Sequence, residues 1–317
     1  MKPKTALFAA IAAIGLTTQA TAAPPQKAEL PRYPAPKNLD FSQVAGSLRT
    51  IDVNGQSVQY RAFEHIVYVM KPADTRYQIM NVYIPEAYFN GGSINGYTAQ
   101  TAPIFLPNQI GGYMPAKAGV PGKGGFGPSK EGQVDAMQAA LARGYVVASP
   151  GARGRTSPTG KAPAAIVDLK AAVRYLKFND AAMAGDANKI VSSGTSAGGA
   201  MSALLGVSAD APEFEPYLAA LGAAKASDEI YAASVYCPIT NLENADAAYE
   251  WMFGAQTKYE KMDFSALSAA GFNDRSGKPK TVSGELTAEQ KELSAALKSA
   301  FPAYVNSLNL KDAKGRA

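Results

Sequence analysis

The chain has 317 residues, 47% of them hydrophobic and 18% charged, with a formal net charge of +5. That length suffices for one large α/β domain with an insertion, and the modest charge, with Lys and Arg scattered along the chain, argues against a nucleic-acid partner. A single cysteine, Cys237, excludes a disulfide framework within the chain, and no Cys/His spacing suits a metal, so no metal or cofactor is expected.

Lys2 and Lys4 precede an apolar run, Ala6 to Leu16, that is too short to span a bilayer, and Ala20-Thr21-Ala22 offers the small residues a signal peptidase reads. Residues 1–22 are therefore read as a cleaved signal peptide. The mature chain then starts at Ala23 or Pro24, is secreted or periplasmic, and needs no membrane after cleavage. Residues 23–50 are assigned to a linker, on the strength of five prolines between Pro24 and Asn38.

Residues 51–240 carry the pattern of an α/β core. Ser57 to Glu64 and His65 to Val69 are β-rich, with a turn signal at Asn54-Gly55. Tyr77 to Ile84 alternates into a further strand, closed by Pro85, and Pro103 to Leu106 is a short run of the kind buried on both faces of a sheet. After a glycine-rich loop, Gly132 to Arg143 reads as a helix stopped by Gly144, and Tyr145 to Ala148 as a strand. Ala164 to Phe178 is a helix with the stripe Ile166, Leu169, Val173 and Leu176. Lys189 to Ser192 is a strand running into Gly194, Ala200 to Val207 is helical, and Ala232 to Cys237 is another apolar strand, which predicts a buried, inert thiol. The alternation indicates a mostly parallel sheet with helices on both faces. Residues 241–317 read as the start of a helical lid or insertion: Asn241 to Phe253 is helical, and Tyr259 to Ala317 is polar, lysine-rich and helical in patches, without a strand.

The chemistry is concentrated in Gly194-Thr195-Ser196-Ala197-Gly198. A G-x-S-x-G run alone also occurs in small-residue turns. Here it follows a buried strand and opens a helix, the setting of a nucleophile elbow, whose tight turn needs glycine two residues either side of the serine. Ser196 is thus the expected nucleophile, beside a helix N-terminus that favours developing negative charge. An oxyanion hole would take one N–H from Ala197 and a second from the loop Asn108 to Tyr113, directly after an earlier strand. Gly112 and Tyr113 are the candidate donors there and Gly111 a candidate substrate contact; a flexible surface loop is the alternative.

A serine hydroxyl also needs a base, and behind such an elbow the order is Ser, then Asp or Glu, then His. The one histidine, His65, lies far upstream in a strand and reads as a packed or surface residue. Either the chain is truncated at its C-terminal side, or it is such a fold without triad chemistry. Arg153 or Arg155, leaving the C-terminal end of a strand, could hold a substrate carboxylate or equally brace the loop. Asp168 reads as a structural or exposed carboxylate. Glu243 and Asp246 suit a helix start better than a triad.

These residues resemble the bacterial tannase and feruloyl-esterase-like α/β-hydrolases. The matching runs are Met80 to Pro85, Asn108 to Met114, Gly194 to Met201, and above all Tyr236 to Asp246 continuing to Tyr249-Glu250-Trp251. The resemblance implies the α/β-hydrolase fold with an incomplete helical lid, and an exported serine esterase that takes small-molecule esters of gallic or other phenolic acids. It also implies that the acid and histidine of the triad lie after the lid. Without a base, and with an exposed edge where a last strand and helix should follow, residues 24–317 alone are expected to be nearly inactive and poorly soluble. A serine peptidase of the same fold and a non-catalytic hydrolase-like binding protein are the alternatives. No oligomeric state is assigned.

Overall fold

The computed structural model describes residues 30–123, 133–240, 256–263 and 280–316. The signal-peptide reading and the helix expected over Asn241 to Phe253, with Glu243 and Asp246, lie outside the described residues. The chain divides into two units, Met1–Leu30 and Pro31–Ala317, and the second carries every element below.

Seven strands form one mixed sheet: β1 (Ser47–Val53), β2 (Gln56–Val67), β3 (Ile79–Pro85), β4 (Pro103–Pro107), β5 (Val146–Pro150), β6 (Asp186–Thr195) and β7 (Ala232–Tyr236), in the order β1-β2-β3-β5-β4-β6-β7. The pairs β1–β2, β2–β3 and β3–β5 are antiparallel, while β4 pairs in parallel with β5 and β6, and β6 with β7. The first hairpin turns at Asn54 and Gly55, both at positive φ, as the tight turn between twisted strands requires. The two runs read separately on either side of Glu64-His65 are one strand. It is bent by a bulge, where Phe63 faces Val82 and Ile66 faces Met80, leaving an extra residue on β2.

Because side chains alternate across a strand, each strand feeds two cores. Met80, Val82, Ile84, Ile104, Leu106, Val146 and Ala148 point to one face, where helix α2 (Ala164–Phe178) lies. Tyr83 and Val147 point to the other, with Val53, Val58 and Tyr60, under helix α1 (Ala136–Ala142). The chain leaves β4 toward β5 on one side and returns to β6 on the other. The carboxyl ends of β4 and β6 therefore flank a topological switch point, where open α/β sheets hold their ligands. Helices α3 (Ala197–Val207) and α4 (Glu215–Leu221) complete the body.

Three expectations need correction. The linker assigned to residues 23–50 is already part of the body from Phe41, which is buried and whose N–H donates to Asn179 Oδ1 at 2.9 Å, and β1 begins at Ser47. Tyr259 to Ala317 reads from sequence as lacking a strand, yet β8 (Lys258–Asp263) and β9 (Lys280–Glu285) pair antiparallel. Their sequence carries no apolar alternation because the described residues of the pair are largely exposed. Helix α5 (Ala288–Ser307) follows, started by a reciprocal cap in which Thr287 accepts from the Gln290 N–H. The third correction concerns Cys237. It is exposed, as are Tyr236 and Ile239 near it at 57% and 43%, with β7 standing at the edge of the sheet among the described residues. Among the described residues no helix is long and apolar enough to cross a membrane.

Candidate active site

Strand β6 ends at Thr195 and α3 begins at Ala197; Ser196 alone makes the turn, at φ 59° and ψ −122°. A non-glycine residue in that region costs on the order of 1–3 kcal/mol and persists only where its surroundings hold it. Its N–H donates to Tyr236 O at 2.9 Å, and its carbonyl accepts from Ala200 N at 3.0 Å and Ile239 N at 3.4 Å. The flanking glycines are sterically required. A Cβ at Gly198 would lie 2.7 Å from both Asn108 Oδ1 and Ile110 O, and one at Gly199 would lie 2.6 Å from Tyr236 O. At Gly194 it would overlap the Gly198 backbone and lie 2.6 Å from Asn108 Nδ2. Ala197 opens the helix with a backbone N–H that has no intrahelical acceptor.

The loop after β4 is fastened to this turn by Asn108. Its side-chain nitrogen contacts Ser193 O at 3.1 Å, Gly198 O at 3.0 Å and Ser202 Oγ at 2.9 Å, and its Oδ1 accepts from Ile110 N at 3.2 Å. Beyond it, Met114 N donates to Gly111 O at 3.0 Å, closing a turn whose central residues, Gly112 and Tyr113, stand at φ 57° and 56°. The Tyr113 hydroxyl donates to Ile239 O at 2.5 Å, and burial raises it above its ordinary value of 10.0, so it keeps its proton throughout the neutral range. Ile239 thus touches both the Ser196 carbonyl and the Tyr113 hydroxyl, and the predicted pieces Gly111, Gly112, Tyr113, Ser196 and Ala197 converge at the switch point.

The two arginines differ. Arg153 is buried, its guanidinium on Asp168 at 2.8 to 3.2 Å, its own N–H on Asp168 Oδ2 at 2.8 Å and its Nη1 on Thr159 O at 3.0 Å. Of the two roles left open by the sequence, this is the brace of the loop. Asp168, likewise buried, also accepts from Gln78 Nε2 at 2.8 Å. Arg155 is exposed and turns to the site, with Nε on Gly112 O at 2.7 Å and its N–H on Tyr113 O at 2.8 Å.

His65 is not brought to Ser196. It stands in the β2 bulge at φ 62°, stacked on Tyr33 with ring centroids 4.6 Å apart, and its N–H donates to Asn81 Oδ1 at 2.9 Å. Four strand steps separate β2 from β6, roughly 19 Å at ~4.8 Å per step. The residue that sequence reasoning passed over is Asn108. Its signal was its place, one residue past β4 and ahead of the glycines.

The BD-FAE family model matches residues 103–282, more than half of the chain, from β4 through the elbow to β9. The chain belongs to the BD-FAE family. Among solved structures, Fusobacterium nucleatum tannase is similar at 52% identity with a TM-score of 0.77, over 88% of this chain and 59% of that one. Tannase from Lactobacillus plantarum is similar at 44% identity and a TM-score of 0.74, over 88% and 59% respectively. The esterase LipQ of Mycobacterium tuberculosis is 35% identical over 96 residues, 30% of this chain and 22% of that protein. The chain thus spans under two thirds of the length of these relatives. Strand order, elbow and the tannase likeness together make this the α/β-hydrolase fold.

Proposed function

We propose that this chain carries the nucleophile and oxyanion side of an exported serine esterase that hydrolyses esters of gallic or related phenolic acids. The observation that carries the reading is Ser196 at φ 59°, ψ −122° between β6 and α3, beside the loop held by Asn108. In this reading the Ser196 oxygen attacks the ester carbonyl, and the oxyanion is met by the N–H of Ala197 and by one from Gly112 or Tyr113. The alcohol leaves with a proton, and water then releases the acid from the acyl-serine. His65 is not the base, for the strand distance already given. The likeness to tannases supports a carboxylic ester substrate, and the phenolic acid is supported by a tannin acyl hydrolase solved with ethyl gallate and with 3,4-dihydroxybenzoate. Export rests on the segment ending at Ala22, and a mature N-terminus at Ala23 or Pro24 would support it.

The test is hydrolysis of methyl gallate and p-nitrophenyl acetate by the protein as its gene encodes it, with and without Ser196→Ala. Turnover of both by the parent and of neither by the folded variant supports the reading. A folded parent that binds methyl gallate without hydrolysing it would instead make this a binding protein of the same fold.

A further inference from the structure

We propose that Arg155 is a positioning residue for this reaction: its Nε–H, donated to Gly112 O, holds the Gly112–Tyr113 peptide in the one orientation that presents the Tyr113 N–H to the acyl oxyanion. The proposal rests on the reading of Ser196 as nucleophile. It assigns the second oxyanion donor to Tyr113 and gives Arg155 a task other than touching substrate.

Gly111 to Met114 is closed by the Met114 N to Gly111 O bond, and both central residues have positive φ, the signs of a type I′ turn. Reversing the central peptide would keep that closing bond and convert the turn toward type II′, in which only its first central residue needs positive φ. That first residue is Gly112, which adopts positive φ freely; the second is Tyr113, which does not. Local backbone preference therefore favours the reversed peptide, and something must oppose it.

Arg155 opposes it. In a trans peptide the carbonyl and the following N–H point in opposite directions. With Gly112 O drawn to Arg155 Nε at 2.7 Å, the Tyr113 N–H faces away from Arg155, and it has no partner among the described residues. The next peptide is fixed in the same way, since Tyr113 O accepts from the Arg155 N–H at 2.8 Å and Met114 N–H is spent on Gly111 O. Reversal would pull Gly112 O off a charged donor, and hydrogen bonds to charged groups are about twice as strong as neutral ones.

The clamp itself stands on rigid ground. Two residues earlier Arg153 is locked to buried Asp168, and Ala152 exchanges both backbone bonds with Ala116 at 2.9 Å. Gly154 passes so close to the Met114–Pro115 peptide that a Cβ there would lie 2.6 Å from Met114 O. The segment 151–155 is thus a buttress laid along the back of the turn, and Arg155 is its contact with the reacting side.

The experiment uses the protein as its gene encodes it. Arg155→Met should lower kcat on p-nitrophenyl acetate about 10- to 100-fold, the scale of a misplaced oxyanion donor. KM should stay within about threefold and the unfolding midpoint should not move, because residue 155 is exposed and its backbone bond remains. In a Tyr113→Gly background, where positive φ carries no penalty, the same substitution should cost at least about threefold less in kcat. A crystal structure of Arg155→Met should show the Gly112–Tyr113 peptide reversed and the Met114–Gly111 bond kept, a readout independent of any chemistry at Ser196. An unreversed peptide, a kcat within about twofold of the parent, a loss carried in KM, or equal costs in both backgrounds would each overturn the proposal. Ester turnover that survives Ser196→Ala would fail the nucleophile reading instead, with the peptide orientation still judging the clamp.

Discussion

The side-chain nitrogen of Asn108 donates to the carbonyl of Gly198 at 3.0 Å, joining residues 90 positions apart. The same nitrogen lies at hydrogen-bond distance from Ser193 O before the elbow and Ser202 Oγ after it, while Oδ1 holds Ile110 N. One buried amide thus ties the strand into the elbow, the helix out of it, and the loop opposite. The serine and its neighbouring loop behave as one rigid piece because Asn108 belongs to both.

Asn108→Ala removes these side-chain bonds and leaves the buried Ile110 N–H without its acceptor, at a cost of about 1–3 kcal/mol, whereas Ser193 O keeps the backbone N–H of residue 108 and Ser202 Oγ keeps the Ser192 hydroxyl. A loss of that size in urea unfolding is expected, together with a fall in ester turnover as the loop detaches.

Two glycines of the same helix should respond in opposite ways. Gly198→Ala sets a methyl 2.7 Å from Ile110 O, so the loop or the elbow must shift and turnover should fall by more than about tenfold. Gly206→Ala meets only Ala233 Cβ and Ile230 Cδ1, at 3.6 and 3.9 Å, and should stabilise the helix by about 0.5–1 kcal/mol without affecting turnover. Parallel kinetics and thermal melts separate the two effects.

Asp228 lies buried between Lys170 Nζ at 2.7 Å and Arg174 Nε at 2.9 Å, and it also accepts the Asp210 N–H at 2.8 Å. It pins the segment between α4 and β7 to helix α2. Removing one partner of a buried ion pair strands the other, so Asp228→Ala should cost about 3–5 kcal/mol in chemical unfolding, far more than any surface pair. A loss below ~1 kcal/mol would show that Lys170 finds water.

Much of this was legible in the sequence, and for physical reasons. Strands β4 to β7 and helices α1 to α3 follow from apolar periodicity bounded by glycine and proline, and the elbow from glycines whose absent Cβ atoms the backbone needs. Helix α2 was legible as an element but not in its depth: Asp168, Lys170 and Arg174 are buried with the stripe, because α3 and α4 pack against it and each charge has a partner, Asp168 in the loop before it, Lys170 in the segment after α4, and Arg174 in that segment and on α4. Arg153 shows the limit at the site. An arginine after a strand reads alike whether it faces ligand or a carboxylate fifteen residues on, and only the Asp168 contact decides. The pair β8–β9 was illegible because a ribbon largely exposed to water has no apolar alternation to show.

Acid should weaken the fold at named groups. The Lys189 ammonium and the Asn188 N–H hold the Asp186 carboxyl below its ordinary value of 3.8. A carboxylate depressed in the folded state contributes stability that is present above its unfolded value and lost as pH falls through the folded one. The melting temperature should therefore keep the full contribution of this group, without pH dependence from it, between pH 7 and 5 and decline below about pH 4. Asp186→Asn should remove part of that decline; an unchanged acid limb would discount the Asp186–Lys189 pair.

The central claim is that Ser196 is the residue acylated by substrate, and active-site labelling tests it most directly. Treated with a fluorophosphonate and digested with trypsin, the protein as its gene encodes it should carry the phosphonyl mass on the peptide from Ile190 to Lys225, at Ser196, with ester turnover lost in step. The Ser196→Ala protein should take no label and hydrolyse no ester. An adduct on any other residue, or undiminished turnover in a protein fully labelled at Ser196, would contradict the account.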